Sequence, residues 1–311
     1  MTALPPGFAA GHWTDRERWT GCTVILVPEE SVGACEVRGG GPGTLMSDLL
    51  SPAAAPPGAQ GILLTGGSAF GLAAADGVVR FLAERDIGFR TRAAVVPLVA
   101  GAVVYDLALG EATARPTPDD AYAAAVAATP APERGSVGAG TGCTVGKLLG
   151  AGHWTKGGFG VASLELSGGA TLSAVAAVNA FGEVLAEDGS VLAGIHRDGA
   201  YERSADLFRA GVRADRPWTE ATTLVAVLTD AALTKTQAWS VARSASAGVA
   251  RAVAPSATAV DGDVAFCVAS GRVETDPLAV SVLAADVTAG AIRDAVRSAT
   301  GAPGCPAASE R

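Results

Sequence analysis

The chain has 311 residues, 49% of them apolar and 17% charged, with a formal net charge of −8. That length and apolar share supply a large core, either one big domain or two ordinary ones. An acidic balance with no basic block argues against nucleic acid, and against an anionic membrane surface, as a partner.

In chain order, a β-branched run predicts a strand over Cys22–Val27, ended by Pro28. A second strand over Gly33–Arg38 runs into the glycine cluster at 39–43, which must turn. Residues 51–60, rich in Ala and Pro, read as surface loop. Strand Gly61–Thr65 leads through Gly66, Gly67 and Ser68 into a helix from about Ala69 to Arg85. Its Leu72, Ala75, Val78, Val79 and Leu82 recur at helical spacing. A buried strand or strand pair is expected over 93–107, a short helix over Ala121–Ala128, and strands over Val161–Leu166 and Thr171–Val178. Residues 182–216 turn polar and read as an exposed connection. After it, Pro217-Trp218-Thr219-Glu220-Ala221 leads to two threonines and an apolar strand over Thr223–Leu228. Thr234 and Gln237 form a capping-box pattern for a helix that Pro255 stops. Strand Asp263–Ala269 and a helix near Leu283–Ser298 close the chain. Interleaved strands and helices without a solenoid-length repeat fit a layered α/β sandwich.

Five scattered cysteines with no C-x-x-C pair read as reduced thiols, not a disulfide framework. The start has no charged segment followed by a long apolar one, so no signal peptide is expected. The most apolar stretch, residues 93–109, is interrupted by Pro97, Gly101 and Asp106. It falls short of the roughly 20 apolar residues a membrane helix needs, and the expected location is the cytoplasm.

The glycine loop at 135–147 invites a nucleotide reading and fails it on spacing. Thr141 stands where a Walker A loop needs glycine, Leu148 where it needs Ser or Thr, and Cys143 where a Rossmann loop needs its third glycine. A structural turn, or a loop that brings Lys147 and backbone amides to a buried site, remain as readings. His12, His153 and His196 are far apart with no ligand-spaced partner, so no metal is expected. A serine-histidine triad lacks its G-x-S-x-G elbow. Asp261-Gly262-Asp263 places two carboxylates on a turn before a strand, either as an ordinary β-turn or to orient an amine and a hydroxyl. Thr222 sits where loop becomes strand. A cut before it would give a threonine whose own amine, with a pKa of about 7.7–8, can take the proton from its hydroxyl. The plainer reading is that threonine favours strands. Adjacent strand residues face opposite sides, so only one of Thr222 and Thr223 can meet a given partner.

Val37-Arg-Gly-Gly-Gly-Pro-Gly-Thr44, Leu64-Thr-Gly-Gly-Ser-Ala-Phe-Gly-Leu72, Val104-Tyr-Asp106, the 138–147 loop, Lys156-Gly-Gly158, Ala177-Val-Asn179, Thr222-Thr-Leu224 and Asp261-Gly-Asp263 occur in that order. Together, from about residue 10 to 290, they resemble the DmpA-type aminopeptidases: L-aminopeptidase/D-esterases, β-peptidyl aminopeptidases and nylon-oligomer hydrolases. The resemblance implies a four-layer αββα sandwich of the DmpA and ornithine acetyltransferase type. It implies one autoprocessed domain over 1–311, cut between Ala221 and Thr222 into subunits 1–221 and 222–311. Thr222 matches the nucleophile, Asn179 the side chain that polarises the scissile carbonyl, Lys147 a site lysine, Tyr105 a substrate-side tyrosine, and Asp261 and Asp263 the acidic pair. Lys156 matches a motif that not every branch uses. No cofactor is implied, and the assembly would be a homo-oligomer, commonly a tetramer. The family usually has asparagine or glycine before its nucleophile, where this chain has Ala221. The resemblance implies a hydrolase of small peptides, amides or esters, nylon-type oligomers among them. An acyltransferase of the ornithine acetyltransferase type and an uncleaved small-molecule-binding homologue stand as alternatives.

Overall fold

The computed structural model of the chain describes residues 3–214 and 221–311. Pro217, Trp218, Thr219 and Glu220 thus lie outside the described residues. The strands that build the sandwich are β1 (Ala9–Asp15), β2 (Thr20–Leu26), β3 (Val32–Val37), β4 (Thr44–Leu45), β5 (Gly61–Thr65), β6 (Val99–Val103), β7 (Gly158–Glu165), β8 (Thr171–Asn179), β9 (Thr222–Ala231) and β10 (Val264–Val273). They form two five-stranded sheets, ordered β1-β2-β5-β6-β4 and β7-β8-β9-β10-β3. Each sheet holds one parallel pair, β5 with β6 and β9 with β10. A parallel pair needs a crossover, supplied by α1 (Ala75–Ala83) in the first sheet and α4 (Lys235–Ala252) in the second.

Three apolar layers show that the architecture is α/β with four layers. Cys22, Val24, Leu63 and Val99 pack under Val78 and Leu82 of α1 and Ala121 and Ala124 of α2 (Pro118–Val126). Ile25, Ile62, Leu64 and Ala100 meet Val175, Leu224, Ala226 and Phe266 between the sheets. Ala174, Ala176, Val225 and Val227 lie under α4 and α5 (Pro277–Arg297). Strands buried on both faces read as unbroken apolar runs, which is why β9 shows no alternation in sequence. In the structure its even residues from Leu224 to Leu228 face the opposite sheet, and Val225 and Val227 face the helices.

The Thr234–Gln237 capping box forms as expected, with both reciprocal hydrogen bonds present. α5 begins at Pro277, earlier than the expected Leu283. Its start signal is the Asp276 side chain, which accepts from the Leu278 amide, with proline in the first turn. The exposed Leu278 and Val282 blur the buried stripe in that part of the sequence. The predicted helix at 69–85 opens as a 3₁₀ segment, Ser68–Ala74, before α1. β1 carries no apolar alternation and was not expected; it is an edge strand, mostly half-buried.

The polar stretch is not the plain exposed connection expected. It folds into short hairpins and the helix α3 (Ser204–Arg209), with Glu183, Ile195, Ser204 and Leu207 buried. Ile195 and Leu207 form a small core of their own with Leu148. All five cysteines are unpaired. Among the described residues no helix is long and apolar enough to cross a membrane.

Candidate active site

β8 and β9 are antiparallel neighbours, and their register places Asn179 opposite Thr222. The pleat decides which threonine meets it. Thr222 shares its face with Leu224 and Ala226, toward the opposite sheet, and Asn179 shares its own with Ala177 and Val175. Thr223 faces the helix layer with Val225. Thr222 is 5% exposed, at the end of the sheet where the inter-sheet core stops.

The amide of Asn179 is fixed by its partners. Its Oδ1 accepts from the Thr144 backbone N–H at 3.0 Å and from Lys147 Nζ at 2.8 Å, while Nδ2 donates to the Tyr105 carbonyl at 2.9 Å. Two donors on one atom and a carbonyl on the other leave only one sensible orientation of the group. The 138–147 loop is therefore the second of its two readings, a loop that carries an amide and a lysine to a buried site. Lys156 braces that loop from below. Its ammonium is fully buried and donates to the carbonyls of Gly140 at 2.9 Å, Cys143 at 2.9 Å and Gly157 at 3.1 Å. Burial pulls its pKa down to about 8, and the three carbonyls satisfy the charged form. Tyr105, Leu109, Thr144, Lys147 and Trp154 line a narrow cleft beside Asn179.

On the other side of Thr222 lies the turn Asp261-Gly262-Asp263. The backbone N–H of Gly262 donates to the Ala221 carbonyl at 2.8 Å, and Thr222 Oγ donates to the same oxygen at 2.6 Å. The two carboxylates hold this turn and do not touch the Thr222 hydroxyl. Asp263 Oδ1 accepts from the Thr223 amide at 2.6 Å and Oδ2 from the Ala257 amide at 2.9 Å. Asp261 Oδ2 accepts from the Thr258 amide at 3.0 Å and hydroxyl at 2.5 Å, and Oδ1 from the Phe181 amide at 3.3 Å. Burial, and then the neighbouring charge of Asp261, hold the Asp263 carboxyl well above the usual carboxylate range. The glycine cluster after β3 closes over the turn, with the Gly41 amide donating to the Asp261 carbonyl at 2.9 Å. A Cβ on Gly39 would lie 2.1 Å from that carbonyl oxygen, so only glycine lets the two loops meet.

Sequence reasoning missed two positions here. Gly262 lies inside the Asp261-Gly-Asp263 motif, whose spacing assigns its amide no role. Asp106 ends the Val104-Tyr-Asp106 motif, and nothing in its spacing places it in the site. It lines the same cleft as Lys147, and its carboxylate accepts from the Gly67 amide and the Thr20 hydroxyl, both at 2.7 Å. Burial pushes its pKa up to about 6. The only sequence signal was a lone carboxylate in an apolar stretch. Because the folded state holds this proton more tightly than the unfolded chain, the stabilisation is complete below about pH 4 and lost as pH rises to about 6. Asp106→Asn has no such proton to lose. Between those pH values wild type should lose about 2 kcal/mol relative to the variant, measured by denaturant unfolding at each pH. A stability difference that stays constant from pH 4 to pH 7 would contradict this assignment.

His12 is no part of the site. It is half-buried and packs edge-on against Phe159, with its ring nitrogens at the Thr23 hydroxyl and the Glu133 carbonyl, and loss of hydration lowers its pKa to about 4. Among the described residues no group of three or more His, Cys, Asp or Glu is placed to hold a metal ion.

The family model described as Peptidase family S58 matches residues 6–307. The chain belongs to that family. It is a hydrolase that acts on amide bonds. A Mycobacterium leprae protein named as an uncharacterized aminopeptidase is 40% identical over 266 residues, covering 82% of this chain and 72% of the relative. A 6-aminohexanoate-oligomer endohydrolase from an Agromyces species is 29% identical over 278 residues, 86% of this chain and 74% of the relative. The structure of a Burkholderia sp. beta-aminopeptidase superimposes with a TM-score of 0.73 at 22% identity, covering 98% of this chain and 90% of that one. At that identity the likeness speaks for the fold.

Proposed function

We propose that Thr222 cuts the chain before itself and then serves as the N-terminal nucleophile of a hydrolase of small peptides, amides or esters. The observation that carries this reading is the convergence of the Thr222 hydroxyl and the Gly262 amide on one oxygen, that of Ala221. In processing, Thr222 Oγ bonds to the Ala221 carbonyl carbon while the Gly262 N–H supports the negative oxygen. The C–N bond then breaks, and the hydroxyl proton ends on the Thr222 nitrogen. Water hydrolyses the resulting ester, which leaves the Ala221 carboxylate and a free Thr222 amine.

In turnover the freed amine accepts the hydroxyl proton as Oγ attacks the substrate carbonyl and later returns it to the leaving nitrogen. The Gly262 N–H and the Asn179 amide would hold the oxyanion, with Lys147 kept beside Asn179 by a charge-assisted hydrogen bond. Tyr105 would line the substrate side of the cleft. Asp261 and Asp263 act through the turn that aims the Gly262 amide.

Alanine in place of the family's asparagine or glycine fits this scheme. Ala221 forms a parallel β-bridge with Asp261 and is not among the residues with positive φ. An extended residue needs neither glycine nor asparagine.

Purified protein incubated with small peptide amides and esters should release amine or alcohol in water alone. Product that forms only after an amine acceptor is added would identify an acyltransferase instead.

A further inference from the structure

The motif at 37–44 leaves Arg38 without a part in the chemistry, and a cavity lies behind the turn that carries Asp261 and Asp263. From both, we infer a second binding site, for a small aliphatic carboxylate, between two arginines and the back of that turn. Binding there goes beyond the proposed hydrolysis and does not depend on which residue is the nucleophile.

The cavity measures about 290 Å³, close to the lower end of ligand pockets, which span roughly 300–1,000 Å³. It lies where α4 covers the start of β10 and the end of β3. Val264 pairs with Val37 there, and the Arg38 amide donates to the Asp263 carbonyl at 2.9 Å. Val249, Val264 and the Asp263 carboxyl form the buried part of the lining. Arg38, Arg243 and the hydroxyls of Ser246 and Ser256 belong to its exposed or half-buried part.

The charges define the ligand. Arg38 Nε pairs with Glu36 Oε1 at 2.7 Å, and the other Glu36 oxygen accepts from Trp239 Nε1 at 3.0 Å. Arg243 lies over the Trp239 ring, 4.9 Å from its centroid, and among the described residues it forms no ion pair. A guanidinium can take a carboxylate through two parallel hydrogen bonds while it stays stacked on an aromatic face. Ala247, Ala250 and the two valines offer alkyl walls to the rest of the ligand. A carboxylate on Arg243 with its chain turned toward Val249 and Val264 matches both parts. The buried carboxyl opposes it little. Asp263 keeps its oxygens on the Thr223 and Ala257 amides, and burial, with the charge of Asp261, favours its neutral form.

That carboxyl also links the cavity to the reaction. Ala257 lines the cavity with a φ of 53°, in the left-handed region, and its amide is held by Asp263. A ligand bearing on Ala257 and Asp263 restrains the turn from behind, and with it the Gly262 N–H. Carboxylic acids are what a hydrolase of amides and esters releases, so the reaction itself supplies ligands of this class.

The test is calorimetric titration of the purified protein with sodium hexanoate and sodium acetate at constant ionic strength. Hexanoate should bind saturably, one per chain, and at least about 10-fold more tightly than acetate, because each buried methylene adds several-fold. Arg243→Ala should weaken hexanoate binding by about 10-fold or more, the weight of a hydrogen bond to a charged group. The side chain is exposed on a helix that alanine favours, so this variant folds. In turnover assays hexanoate should shift wild-type kcat roughly 5-fold, the low end of typical coupling, with KM unchanged and no effect on Arg243→Ala. Hexanoate that binds the variant as tightly as wild type, or competes with substrate in both, would overturn the site. So would acetate that binds as tightly as hexanoate, or no saturable binding at all. An unchanged kcat at saturating hexanoate would overturn the link to the turn. Arg243-dependent binding by a protein that neither self-cleaves nor turns over would sink the Thr222 reading and leave this site standing.

Discussion

Thr222→Ala is expected to leave one full-length chain that hydrolyses no amide or ester. One hydroxyl is proposed for both steps, so its loss stops processing, and without processing no free amine is made to act as the base. Loss of a nucleophile costs on the order of 10⁶ in turnover in a comparable hydrolase. The fold should survive. β9 is held between β8 and β10 and buried on both faces, and the hydroxyl's one hydrogen bond, to the Ala221 carbonyl, contributes about 0.5–1.5 kcal/mol. Thr223→Ala is the control. That side chain faces the helix layer, away from Asn179, so the variant should cleave and turn over near wild type. A Thr222→Ala chain that still cuts at the same bond would move the nucleophile elsewhere.

Asn179→Ala has the next largest expected effect. Removing one oxyanion donor typically lowers turnover by roughly 100–1,000-fold. The structure adds a cost that sequence reasoning did not foresee. The Thr144 amide, Lys147 and the Tyr105 carbonyl all bond to this one side chain, which is fully buried. Stripping a buried partner from such groups costs about 1–3 kcal/mol, so the unfolding midpoint should fall along with kcat. Stopped assays and thermal melts on the same preparation check both. Wild-type turnover with a lowered melting temperature would make Asn179 a structural residue only.

What could be read from the sequence follows from the range of each interaction. Capping at Thr234, the apolar run of β9 and the opposite facing of Thr222 and Thr223 are local, and they were legible as residue types at fixed spacing. The four-layer sandwich was reached through the resemblance of the ordered motifs, because apolar runs alone do not say which strands share a sheet. The role of Gly39 depends on a carbonyl of Asp261, far along the chain, and no spacing rule connects them. Asp106 sat in a stretch that only looked apolar, and its partners come from β2 and the loop after β5. The segment before Ala221 was misjudged by composition. Its polar residues cover short buried runs at 182–184 and 193–195, with Ser204 and Leu207, each too short to set a pattern.

The central claim, that the chain cuts itself before Thr222, is tested most directly by N-terminal sequencing of the purified wild-type protein after denaturing electrophoresis. Two fragments are predicted, residues 1–221 and 222–311, and the smaller should read Thr-Thr-Leu-Val. A first cycle that begins Thr-Leu-Val would place the nucleophile at Thr223. A single band of full length after prolonged incubation would contradict the account.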